Sequence, residues 1–185
     1  MAFYAASSLL QTMDVSELTM CDPQTAFFGF FGVASGVIFA NFGAAYGTAK
    51  AGVGITAMGV MKPDKIMSSL IPVVMAGVLG IYGLITAIML LQHIPNDPST
   101  YPAFTGFAHM SAGLTVGLSS LAAGMCIGII GDAGVRANGQ NPKIFVGMIL
   151  ILIFGEALGL YGLIIGLIVA QRDTEGPACT SYALK

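Results

Sequence analysis

The sequence has no tryptophan, and charge is scarce along it, with seven lysines and arginines and nine aspartates and glutamates among 185 residues. No basic patch exists to hold phosphates, which excludes a nucleic-acid binder. With 56% hydrophobic residues, 9% charged residues and a mean hydropathy of +0.85, an ordinary soluble domain is excluded as well. Cysteine is almost as rare. Cys21, Cys126 and Cys179 lack the spacing of a metal site, and Cys126 lies in an apolar stretch where packing explains it. Cys21 and Cys179 flank the apolar region on one side, which leaves a disulfide between them open. The first twenty residues lack both the basic start of a signal peptide and the arginines of a mitochondrial presequence, so they read as a retained extension. No glycine-rich loop is followed by Lys-Ser/Thr, and the chain is expected to bind no nucleotide, cofactor or metal itself.

What is abundant is apolar length. Four segments, 25–51, 66–91, 102–131 and 144–170, are each long enough to cross a bilayer as a helix. The expected class is an all-α membrane protein of four transmembrane helices. An N-terminal extension occupies 1–24, a first hairpin 25–91, a turn 92–101, a second hairpin 102–170 and a tail 171–185. The short loops carry Lys50, Lys62 and Lys65 on one connection and Arg136 and Lys143 on another, whereas the middle turn carries no lysine or arginine. The positive-inside rule makes loops 52–65 and 132–143 cytoplasmic and puts the middle turn and both termini on the lumenal side. Arg172 and Lys185 dissent, accompanied by Asp173 and Glu175. Pro95, Pro98 and Pro102 stiffen the middle turn.

The two hairpins are repeats. Residues 76–85, AGVLGIYGLI, match 155–164, GEALGLYGLI, at a shift of 79. In the preceding helices Gly32, Gly36, Gly43 and Gly47 match Gly113, Gly117, Gly124 and Gly128 at a shift of 81. Each unit crosses twice, so the repeats keep one orientation, unlike inverted transporter repeats. At about 100° per residue each set of four glycines falls on one face. Small faces let backbones approach, which is how helices associate in lipid. Gly155, Gly159, Gly162 and Gly166 make such a face in the fourth helix, and Ala76, Gly80, Gly83 and Ala87 its counterpart in the second. So much glycine leaves little bulk for a self-contained core, and the expected use of these faces is lateral stacking of copies into a ring with the first and third helices on its inner wall.

One carboxylate, Glu156, stands near the middle of the last apolar segment. Placing a charge there costs roughly 3 kcal/mol on insertion scales, so the default reading is a functional ion or proton site. Its repeat counterpart is Gly77, which leaves one such site per four helices. Glu156 points roughly 90° from the centre of its glycine face, at the edge of the packing surface. No lysine or arginine lies at membrane centre, so the counter-charge must come from another protein of the assembly. On its own helix the neighbours Leu152, Ile153, Gly159 and Leu160 offer no side-chain oxygen for a sodium ion, which favours a proton. Among other polar residues, Tyr161 is expected near the proton site, with Tyr82 as its repeat match. Asn41, Ser119 and Ser120 are expected in interhelical hydrogen bonds. His93 and His109 are expected to snorkel at the lumenal ends, and Pro72 to kink the second helix or remove one of its hydrogen bonds.

The runs GEALGLYGLI at 155–164, GDAGVR at 131–136, VGMILILIF at 146–154, AYGTAK at 45–50 and IPVVMAG at 71–77 resemble the c-type proteolipids of vacuolar-type (V-type) proton ATPases, over about residues 22–171. The resemblance implies four-helix copies in a homo- or hetero-oligomeric ring with other c-type proteolipids. That ring turns within the lipid bilayer against the pump's a-type subunit, whose arginine releases the proton carried at the position of Glu156. It also implies contact of the cytoplasmic loops with the d-type subunit and the central stalk, and an inhibitor contact near Tyr161. The chain would then be a non-catalytic part of an ATP-driven pump that acidifies vacuolar or other endomembrane compartments. Family members commonly carry alanine at the position of Gly155. The alternative to a rotor is a structural or pore-forming proteolipid. Carbodiimide labelling of one copy that stops the whole assembly would favour the rotor.

Overall fold

A computed structural model describes residues 24–96 and 101–172. Within them four long helices follow in order: α1 Thr25–Gly59, α2 Ile71–His93, α3 Ala103–Gln140 and α4 Ile144–Ala170. No strand occurs among the described residues. All four are long and apolar enough to cross a membrane, α2 together with the turn that leads into it from Met67. Cys21, Cys179 and most of both terminal extensions lie outside the described residues.

Two of the expected ends move. α1 has 35 residues and α3 has 38, so at 1.5 Å per residue they run about 52 and 57 Å, well beyond a hydrocarbon core of about 30 Å. The apolar runs stop near residues 51 and 131, but the helices continue through most of what reads as loop. Side-chain contacts hold these extra turns together. Ile55, Met58 and Val135 are buried there, Lys50 Nζ lies 3.4 Å from Asp132 Oδ2, and Lys65 Nζ donates to the Asn138 carbonyl at 3.3 Å. Arg136 Nε donates to Asp132 Oδ1 at 2.7 Å, one turn away along α3.

Pro72 does not kink a helix. It sits at the second position of α2, where its missing N–H leaves no bond unmade. Two short 3₁₀ turns, Pro63–Lys65 and Met67–Leu70, fill the connection before it.

The glycine faces are used inside the chain. α1 and α3 lie back to back, α2 rests on both, and α4 lies on α3 with a thinner contact to α2. A Cβ on Gly43 would come 2.6 Å from the Ser120 carbonyl oxygen, and one on Gly47 2.8 Å from that of Gly124. Gly113 and Gly124 in turn meet the backbones of Gly32 and Gly43 directly. In α4 a Cβ on Gly166 would come 3.1 Å from the Ala112 carbonyl oxygen, and one on Gly162 would overlap Ser119. The expectation that small faces serve contacts between copies is therefore corrected for these residues. The reason is geometric, because two opposed glycine faces mate most closely with each other.

Bulk is displaced to the ends and the outside. Ile55, Met58, Leu79, Ile127, Val135, Met148 and Leu152 form the main apolar cluster, toward the end that carries the lysines and arginines of the connections. Phe42, Ile81, Phe154 and Ile168 point outward, as side chains facing lipid or another helix would.

Candidate functional site

Glu156 stands at the middle of α4, between Gly155 and Ala157, and is half-buried. The turn around it is shaped by small residues. A Cβ on Gly159 would meet Leu79 Cδ2 at 2.7 Å and Ala123 Cβ at 3.4 Å, so this part of α4 lies close against α2 and α3. That close approach brings Tyr82 of α2 within reach. Its hydroxyl donates to Glu156 Oε1 at 3.3 Å. The distance is long for an O–H···O bond, which marks a weak hold on the carboxyl.

This pairing differs from expectation. Tyr161 is 61% exposed and points away from the packed core. Five residues after Glu156 at about 100° each, it lies roughly 140° around the helix, so it cannot share the carboxyl's side. Tyr82 takes the contact instead. The repeat match already singled Tyr82 out, but the register of α2 against α4, which decides who touches Glu156, has no sequence signal.

At Gly77, the repeat counterpart of Glu156, a Cβ would find nothing within 4 Å. Gly155 is almost as tolerant, with Ile127 at 3.4 Å and Cys126 Sγ at 3.5 Å. Cys126 is a free thiol, partly buried. Among the described residues both ion pairs involve Asp132, and neither reaches Glu156. No group of three or more His, Cys, Asp or Glu suited to a metal is found among them either.

Other polar side chains behave differently from the reading above. Asn41 Nδ2 donates to Val37 O and Ser119 Oγ to Val116 O, both at 3.0 Å and both within their own helices. Ser120 Oγ is buried with no hydrogen-bond partner among the described residues. A short polar side chain reaches the carbonyl one turn back without waiting for a neighbouring helix, so the local bond wins. His109 does not snorkel. It is 1% exposed, with Nδ1 2.6 Å from the Tyr101 hydroxyl. His93 is half-buried, with Nδ1 2.7 Å from the Met89 carbonyl oxygen.

The chain matches the family model for the C subunit of ATP synthase twice, over residues 31–90 and 110–169. The two matches begin 79 residues apart, the shift already seen between the Tyr82 and Tyr161 segments. A V-type proton ATPase 16 kDa proteolipid subunit from Chrysotila carterae is 61% identical over 157 residues, covering 83% of this chain and 96% of the relative. The 16 kDa proteolipid c-subunit of the V-type proton ATPase from Nephrops norvegicus is 59% identical over 149 residues, covering 80% and 93% respectively. With four membrane-crossing helices, a duplicated hairpin and these matches along most of its length, the chain is an integral membrane protein of the ATP synthase C-subunit family and belongs, within it, to the c-type proteolipids of V-type proton ATPases.

Proposed function

We propose that this chain is a proton-carrying rotor subunit in the membrane sector of a V-type ATPase, with Glu156 as the carrier. The observation that carries this reading is a half-buried carboxyl at mid-membrane whose described partner is one weakly bound hydroxyl. A carboxyl locked into a strong network could not give up and regain a proton on each pass. One held by a single long hydrogen bond can. The desolvated neutral acid can travel past acyl chains, and it ionises where a cation and a water path are supplied.

The described residues provide no such cation near Glu156. The family resemblance assigns it to an arginine of the a-type subunit, and assigns the cytoplasmic loops to the d-type subunit and the central stalk. Among the described residues the side-chain oxygen hydrogen-bonded to Glu156 is the Tyr82 hydroxyl, whereas hard cations gather several oxygens. Protons therefore fit the site better than sodium. The chain itself is the non-catalytic, ion-carrying part of the pump. The lysine and arginine connections face the cytoplasm and the middle turn faces the lumen.

Glu156→Gln is the direct test. The amide keeps the shape and loses the exchangeable proton, so ATP-driven acidification of vesicles should vanish while the ring still assembles. A variant that still acidified them would overturn the assignment.

A further inference from the structure

Proton carriage by Glu156 makes no use of a cavity of about 330 Å³ between the ends of α1 and α3, at the end that carries the basic connections. Ala57, Met58, Met61 and Lys62 line it from the end of α1 and the turn that follows, and Arg136 and Gly139 from the last turns of α3. A glycine makes the room, since a Cβ on Gly139 would come 2.7 Å from Met58 Cγ. The volume falls at the lower end of the range for ligand pockets, about 300–1,000 Å³.

The helices set its depth. Gly155 of α4 faces Cys126 and Ile127, and Gly47 of α1 faces Gly124 and Gly128, so Glu156 is level with the part of α3 around Cys126 and of α1 around Gly47. Counted at about 1.5 Å per residue from that level, Arg136, Met58 and Gly139 stand about 15–20 Å away. Hydrocarbon ends about 15 Å from the bilayer midplane, and the headgroups end about 20–22 Å from it. The cavity is therefore at the level of the lipid phosphates. Charge fits the same place. Arg136 donates Nε to Asp132 and keeps further N–H donors on its guanidinium. Lys62 Nζ has no partner among the described residues. Lys50, Lys62, Lys65, Arg136 and Lys143 stand against Asp64 and Asp132 on these connections, an excess of three positive charges. Two cations beside a wall of Ala57, Met58 and Met61 suit an amphiphile whose anionic head joins directly to an apolar body. A free anion would gain nothing from the methionines, and an acidic peptide would have to reach down among the headgroups.

We propose that this cavity seats the headgroup of an anionic phospholipid of the cytoplasmic leaflet, with Arg136 holding the phosphate as a fork and Lys62 as a point charge. The proposal rests on the proposed orientation and on Glu156 lying at mid-membrane. The test is photolabelling of the intact pump in phosphatidylcholine vesicles containing a phosphatidylserine probe with a diazirine beside its headgroup. Label should accumulate within residues 57–62 and 136–140, and a matching phosphatidylcholine probe should label them about tenfold less. Lys62→Gln and Arg136→Gln should each raise the probe share needed for half-labelling about fivefold. Ala57→Leu adds bulk to the lining, leaves every charge in place and should weaken labelling too. Lys143→Gln, outside the cavity, should not. Equal labelling by the two probes, an equal loss in Lys143→Gln, or full labelling of Ala57→Leu would mean a diffuse field and not a seat, and would overturn the proposal. Displacement of the probe by inorganic phosphate would give the cavity to a free anion, and labelling confined to pumps stripped of their stalk would give it to a protein partner; either result overturns it as well. No turnover is involved. If Glu156→Gln still pumped while the labelling held, the carrier reading would fail and the lipid site would stand.

Discussion

In the first hairpin Tyr82 turns toward the facing helix and Gly77 looks onto open space. In the second, at the same two repeat positions, Glu156 is the half-buried partner of Tyr82 and Tyr161 stands outside. One unit therefore supplies the hydroxyl and the other the carboxyl. The step from α2 to α4 is completed within the chain, and on the proposed function the step from α4 to the next α2 would fall to another copy. Repeated around a ring, that step would set each Tyr161 against a neighbour's Gly77, where no carboxylate waits. On the proposed function, one carboxylate per four helices instead of two would halve the protons moved per turn and leave more driving energy for each. Each charge moved against 100 mV costs about 2.3 kcal/mol, and each pH unit adds about 1.4 kcal/mol.

The comparison breaks most severely where α1 meets α3, since both units are equally committed there. Gly124→Val should drive α3 from the Gly43 backbone at a cost above the roughly 1–3 kcal/mol of ordinary overpacking. Assembled ring should be lost on native gels. Gly77→Ala, placed in the open, should leave assembly intact.

Gly77→Glu sharpens the contrast by restoring the missing carboxylate. Nothing within 4 Å opposes its Cβ. The expected outcome is an assembled ring with about twice the protons per ATP and a shallower final pH gradient, because the same work is divided among twice as many charges. Proton flux measured against ATP hydrolysis checks it.

A smaller effect separates the tyrosines. Tyr82→Phe removes a hydrogen bond worth about 0.6 kcal/mol in a membrane and should change the rate of ATP-driven acidification by no more than about threefold, upward if the bond restrains the carboxyl. Tyr161→Phe should leave that rate unchanged, since the exposed hydroxyl does not reach Glu156. Smallest of all is Gly155→Ala, whose added methyl meets only ordinary contacts at 3.4 and 3.5 Å. Its stability should stay within about 0.5 kcal/mol of the parent by thermal unfolding of the ring.

Much of this could be read from the chain. Apolar length alone located the four helices, because a span in lipid needs about twenty uninterrupted apolar residues. The isolated carboxylate was visible for the same reason, as the costliest residue in its segment. Gly77 as its lost twin followed from the repeat. The helix extensions to Gly59 and Gln140 were not legible, because composition marks where the membrane ends and a helix held by Met58, Val135 and Asp132 continues past that point. The burial of His109 was missed because a histidine near a helix end looks the same whether it faces water or a phenol eight residues away.

The sequence by itself determined the class and the duplication, and it singled out Glu156 as the one carboxylate of its apolar segment. These depend on hydrophobicity and repetition, which are properties of the linear chain. Only the tertiary structure decided that the glycine faces of α1 and α3 meet each other, that Tyr82 and not Tyr161 holds the carboxyl, and that His109 is sealed beneath Tyr101. Each depends on the register and rotation of one helix against another. Those are set by the fit of whole surfaces, and no local pattern of residues specifies them.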